Sequence, residues 1–244
     1  MRFDAVLFDN GGTLTHRSSP VAAVRALAAR AGVDISEEDA ARYWRRSKEH
    51  SRTLMKEKRV TRNLSRADHR MLLLRWLNSW GCRIRYPREG EPALFDSGIG
   101  AWWRSWRSAL PSVSLARLSD GDIDAVAQAY TALAALQVSA GPAARTLGPT
   151  AAAKALYALA PRAIMPWDAA IAARLHGNRD GAAFGRHLRL GREWAAAVIA
   201  ESGGDEDALP ELVGRPTVSL AKILDEYLYV TITMPGQGIR SQED

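Results

Sequence analysis

Two places in the 244-residue chain combine residue types that can do chemistry. The first is "VLFDNGGTLT", Val6 to Thr15, where an apolar run ends at Asp9 and a loop of glycines and a threonine follows. A carboxylate mounted this way, with Gly12 and Thr13 able to close around phosphate oxygens, is set to attack phosphorus. A phosphate already carries negative charge, so the attack also needs Mg²⁺, a neutralising cation and further carboxylates to hold the metal. The second place is "LGPTAAAKALYALAPRAIMPWDAAIA", Leu147 to Ala172. Gly148 opens a turn ahead of a helix of small residues, and Asp168 follows it at the start of another helix (168 − 148 = 20 residues on). A glycine turn at a helix N-terminus offers backbone N–H groups to a phosphate without reading sequence. Thr150 and Lys154 stand in the same helix as further phosphate contacts. A carboxylate beside an extruded nucleotide can stabilise positive charge developing at the sugar, or activate water.

The elements that must position these residues are mostly helical. "RFDAVLF" reads as a short buried strand ahead of Asp9. Helices follow from Pro20 to Ala31, after Ser36, and after Ser65 up to Gly81, with Ser36 and Ser65 as N-caps. "CRIRYP" alternates like a strand, and "REGEP", residues 88–92, is the best linker candidate. Beyond it, "FDSGIGAWWRSWRSAL" is helical, Ser119 caps "DGDIDAVAQAYTALAAL", and helices are expected over "LGPTAAAKALYAL" (147–159) and "WDAAIAARL" (167–175) and around 181–201 and 217–226. "YLYVTITM" reads as a closing strand able to pair with the opening one, and 235–244 as a mobile tail. Trp102 and Trp106 share one helical face, which suits a core, while Arg104 and Arg107 could reach phosphates. Arg45, Arg46 and Lys48 beside Tyr43 and Trp44 form a basic, solvated helical face.

Composition sets the outer limits. Apolar residues make up 47% of the chain, enough for a packed core, and the net charge of +6 is carried mostly by arginine, which suits a polyanionic partner. Cys82 is the single cysteine, so a disulfide framework and a cysteine metal site within one chain are excluded. The five histidines show no metal spacing, and His69 and His176 read as surface or capping groups. No basic, apolar leader and no apolar run near 18 residues is present, so the expected location is the cytoplasm, away from membranes.

Both motifs carry a resemblance. "LFDNGGTLT", with the helices from 20 to 81, resembles the start of the haloacid-dehalogenase-like hydrolases and their helical cap. The resemblance implies that Asp9 is the nucleophile and that Gly12 and Thr13 close the phosphate loop. The family's second acid falls at Gly11, and the later strands that would bring a Ser or Thr, a Lys and an acidic pair have no counterpart after residue 90. "LGPTAAAKAL…PWD" resembles the helix-hairpin-helix DNA glycosylase superfamily. That resemblance implies that Gly148 is the last hairpin glycine and Asp168 the catalytic aspartate. The lysine of bifunctional members would fall at Thr150, while Lys154 lies a turn further on, so a monofunctional pattern is implied. Asp168 is equally well suited to capping "AAIAARL".

The expected architecture is therefore mainly α. A dehalogenase-like strand, loop and helical segment (1–90) precedes a helix-hairpin-helix glycosylase-like module (91–234) and a tail (235–244). The leading expectation is DNA binding through Gly148, Thr150 and Lys154, with base excision by Asp168 and no cofactor. The alternative is a phosphatase using Asp9, Gly12, Thr13 and Mg²⁺, with Asp9 as the only metal contact named. A second alternative is a non-catalytic interaction protein.

Overall fold

The computed structural model describes residues 36, 38, 63–140, 144–203, 205–212, 216 and 218–233. Asp9, Gly12, Thr13, the opening strand, the helices expected between 20 and 62, the Arg45–Lys48 face and the 235–244 tail lie outside the described residues.

The described residues are mainly helical, with one two-stranded antiparallel sheet. In chain order they form α1 (Ala67–Ser79), α2 (Leu94–Trp106), two short 3₁₀ turns (Arg107–Ala109 and Leu115–Arg117), and α3 (Asp120–Ala134). A small hairpin of β1 (Gln137–Ser139) and β2 (Arg145–Thr146) follows, then α4 (Pro149–Leu159), α5 (Ala169–His176) and α6 (Gly181–Glu201). The series closes with α7 (Leu209–Leu212), α8 (Leu220–Leu228) and a π-helical turn (Tyr229–Thr233).

Capping chemistry sets most of the boundaries. Ser119 and Asp122 form a reciprocal capping box at the start of α3: the Asp122 N–H donates to Ser119 Oγ (3.1 Å), and the Ser119 N–H donates to Asp122 Oδ2 (2.9 Å). Asp180 and Ser219 cap α6 and α8 by their side chains alone, accepting from the Ala183 and Lys222 N–H groups. The helix α1 differs from expectation, because Arg66 rather than Ser65 is its N-cap residue and no side chain caps it. Its other end is a Schellman turn, with Gly81 N–H donating to Asn78 O and Cys82 N–H to Leu77 O. Gly81 takes φ 77°, a conformation in which a Cβ is costly.

Two expected strands are not strands. "CRIRYP" is irregular, because the Asn78 side chain takes up both backbone groups of Ile84 that a ladder would use: Ile84 N–H donates to Oδ1 (2.7 Å) and Nδ2 donates to Ile84 O (2.8 Å). "YLYVTITM" continues helically out of α8 as the π turn, which packs on α5. There Thr231 Oγ1 donates to Tyr227 O (2.8 Å), a helical back-bond that overrides the β preference of a β-branched run.

One hydrophobic cluster runs through all the major helices, from Leu73, Trp76 and Leu77 on α1 to Leu220 and Leu224 on α8. The helices on either side of residues 88–92 share it. Arg70 reinforces that junction, donating through Nε and Nη2 to the two oxygens of Asp96 on α2 (both 2.8 Å) and through Nη1 to the carbonyls of Leu64 and Ser65. Trp102 and Trp103 are buried, and Trp102 Nε1 donates to Ala129 O (2.9 Å), so this face of α2 is core while Arg104 and Arg107 stay exposed.

The helices α3 and α6 make the most extensive contact. It depends on Gly181: a Cβ there would lie 2.1 Å from Thr131 Oγ1 and 2.8 Å from the Ala127 carbonyl oxygen. Gly181→Ala is expected to lower stability by about 1–3 kcal/mol through overpacking. The check is the urea midpoint, with Gly121→Ala as the control, since its nearest neighbour is 3.7 Å away and its midpoint should hold or rise.

Candidate functional site

The turn at Gly148 is built differently from a tight link between two helices. The β1–β2 hairpin stands between α3 and α4, and its base is closed by Leu147 N–H donating to Leu136 O (2.7 Å) and Gly148 N–H donating to Ala134 O (3.0 Å). Gly148 has φ 81°, and Pro149 occupies the first helical position without an N–H. The Gly148 amide is thus committed to α3, which leaves Thr150 and Ala151 with the orphan N–H groups of the helix start. Ala151 is buried and Thr150 half-buried.

Lys154 lies one turn further along α4, and its surroundings are rich in charge and aromatic rings. Its ammonium donates to the Trp80 carbonyl oxygen (2.9 Å) and lies 5.3 Å from the Trp80 ring centroid. The Lys222 ammonium of α8 approaches the same ring at 4.9 Å. It also pairs with Asp225 and lies 3.9 Å from Glu226 Oε1. Trp76, Trp80 and Tyr157 form the aromatic wall, with ring centroids 5.0–6.4 Å apart. The indole N–H of Trp76 is buried and finds no hydrogen-bond partner among the described residues.

Burial dominates the electrostatics here. It pulls the Lys154 pKa below the usual lysine value, while the charges of Cys82, Asp225 and Asp168 pull it back up and Lys222 adds to the depression. Burial likewise pushes Asp225 above the ordinary carboxylate range, against the pull of Lys222. The Cys82 thiol is pushed up by burial too, which makes it a poor thiolate.

Asp168 stands at the N-terminus of α5 with both oxygens engaged. Oδ1 accepts from the Ile171 N–H (2.9 Å), so the residue is an N-cap, and Oδ2 accepts from Thr233 Oγ1 (2.7 Å). The structure therefore ties Asp168 to the π turn, while Lys154 is held at the Trp80 carbonyl. Gly148 is held to α3 instead.

A second buried network fixes the residues just before Asp168. His187 of α6 is fully buried, with Nε2 3.4 Å from Pro166 O and Nδ1 3.1 Å from His176 Nε2. A carbonyl can only accept, so the His187 proton sits on Nε2 and His176 donates to Nδ1. Trp167 packs between them against Phe184 and Tyr130, whose rings stack at 4.2 Å. His176, expected as a surface or capping group, is half of this pair, and His69 is half-buried.

Reading the sequence missed Lys222, Asp225, Glu226, Thr233 and the Trp80 carbonyl. The spacing of Lys222 from Asp225 and Glu226, i+3 and i+4 on one helix, was the available signal. Thr233 was hidden by its place in an expected strand. No known protein family, curated protein or solved structure matches this chain.

Burial and the neighbouring His176 push His187 down to about 3. In the unfolded chain it titrates near 6.5. Between those values the unfolded state binds a proton that the native state refuses, so stability is complete above about pH 6.5 and falls as pH drops toward 3. His187→Phe removes this term. Urea titrations across that range should show a shallower loss in the variant, by up to about 1.4 kcal/mol per pH unit.

Proposed function

We propose that the chain binds nucleic acid and excises a base, with Asp168 as the charged group at the reacting sugar. The observation that supports this reading most is where lysine occurs. Among the described residues there are only two lysines, Lys154 and Lys222, and both lie beside the Trp80 ring; every other basic side chain there, histidines aside, is arginine. A guanidinium stays charged under all ordinary conditions, whereas a buried amine can release its proton. Lysine therefore stands where an amine of adjustable charge has a use.

In this reading the Asp168 carboxylate stabilises the positive charge that develops at C1′ as the glycosidic bond breaks. Water supplies the new oxygen at C1′, its proton leaves with the departing base, and the half-buried Trp80 ring gives the base an apolar surface.

The test is release of free base from a panel of damaged duplexes. Asp168→Asn should keep the melting temperature, because Asn caps nearly as well as Asp and its amide can still bond Thr233 Oγ1. It should lower the rate by at least about 10²-fold. Base release that survives Asp168→Asn would overturn the assignment. Magnesium-dependent phosphomonoester hydrolysis lost in Asp9→Asn would replace it with the phosphatase.

A further inference from the structure

The segment that carries the Trp80 carbonyl to α2 is the most one-signed stretch of the described surface. Residues 75–88 contain Arg75, Arg83, Arg85 and Arg88 and no aspartate or glutamate. All four arginines are exposed, and Tyr86 among them is a large aromatic left 46% exposed. Arg85 is neutralised by Glu91 (2.8 Å), whose charge also reaches Arg88, while neither Arg83 nor Arg88 forms an ion pair of its own among the described residues.

This loop is held in one shape. Ile84 is buried as its anchor, and Asn78 clamps that residue by its backbone N–H and C=O. Arg83 sits next to the anchor at φ 54°, a left-handed conformation unusual for a residue with a side chain. At the far end Glu91 accepts from the Arg88 N–H (2.9 Å) as well as from Arg85. On the inner side, Arg85 and Pro87 face a cleft of about 240 Å³ that Met71, Leu74 and Phe95 also line. Tyr86, between them in sequence, does not line it. The exposed ring and the unpaired arginines are therefore presented outward on a rigid frame, with little ordering entropy left to lose on binding.

We infer that this loop is the docking surface for an unpaired nucleic-acid strand, with Tyr86 stacking on a base while Arg83 and Arg88 hold the flanking phosphates. A ring face accepts any base but needs one that is unstacked from its neighbours, so the partner is single-stranded rather than duplex. The charge that Arg83 and Arg88 leave unbalanced calls for a polyanion. Lys154 bonds to the Trp80 carbonyl, two residues before the loop begins, which ties the start of the loop to the Lys154 site. The inference thus rests on the nucleic-acid reading and supplies the surface that reading lacked once the Gly148 amide is committed to α3.

The experiment uses the full chain and a fluorescein-labelled mixed-sequence 20-mer, single-stranded or as a duplex, with anisotropy read over a salt series. The wild type should bind the single strand more tightly. Arg83→Asn, which keeps a residue tolerant of the left-handed conformation, combined with Arg88→Gln should lower that affinity about ten-fold. The slope of log affinity against log salt should fall by about 1.4, two contacts at ~0.7 each. Tyr86→Ala should lower it by at least about five-fold while Tyr86→Phe retains it, since stacking needs the ring and not the hydroxyl. Melting temperatures should match the wild type in all three, because the residues are exposed. Binding that none of the variants weakens, or a clear preference for duplex, overturns this surface and leaves the base-excision reading standing. A wild type that binds neither oligonucleotide at low salt overturns both.

Discussion

The rest of the described structure depends on how closely α6 can approach α3. At Gly181 there is no room for even one carbon beyond the backbone, because the Ala127 carbonyl and the Thr131 hydroxyl already occupy that space. At Gly185 the Ala127 methyl and Ile123 lie within van der Waals range of where a Cβ would be. Two glycines four residues apart thus bring two backbones together along one helical face. The approach lets Phe184 lie flat on Tyr130 and Trp167 pack edge-on to both. It also places His187 against the Pro166 carbonyl, two residues before Asp168. The carboxylate at the candidate site is therefore located by a steric constraint on the other side of the core.

Around Lys154 and Lys222 the logic is electrostatic. Taking an ion pair such as Lys222 and Asp225 out of water costs several kcal/mol per ion, and mutual attraction seldom returns more than that. A chain built only for stability would fill such a place with leucine, which this core uses freely elsewhere. The arrangement instead keeps two ammonium groups beside one indole, where burial lowers the proton affinity of Lys154 and neighbouring carboxylates raise it. Arg70 shows the contrasting use of a cation: a planar fork, fixed to Asp96 and two carbonyls, that can only hold helices together.

How much of this was legible in the sequence depended on range. Ser119 before "DGDID" and Asp168 before "AAIAARL" announce helix starts because capping is settled within three residues, and both caps are present. The mainly helical class followed from periodicity for the same reason. The closing "YVTIT" did not behave as its composition suggests, since its conformation is set by α5 and by a hydroxyl bond to Asp168, neither visible locally. The hairpin at 137–146 is too short for alternation to register. The site was half legible: Asp168 and Lys154 could be named, but Lys222, 68 residues beyond Lys154 (222 − 154), could be joined to them only once α4 and α8 were placed. The Trp80 carbonyl carries no signal in sequence, because every residue has one.

The frame around residues 82–89 has a consequence for how the molecule could change over time. Its ends are set by Gly81 and Gly90, each at positive φ, and by the side chains of Asn78 and Glu91 outside or at the edge of the stretch. Between them only Ile84 is buried. The exposed positions 85–89 can vary without disturbing the helices, and 83 can take residues that tolerate the left-handed conformation, so this stretch is a cassette: its charges and its ring can be exchanged while the scaffold is kept. Selection, or an engineer, could retune what the surface holds by rewriting a handful of codons, at almost no cost to folding.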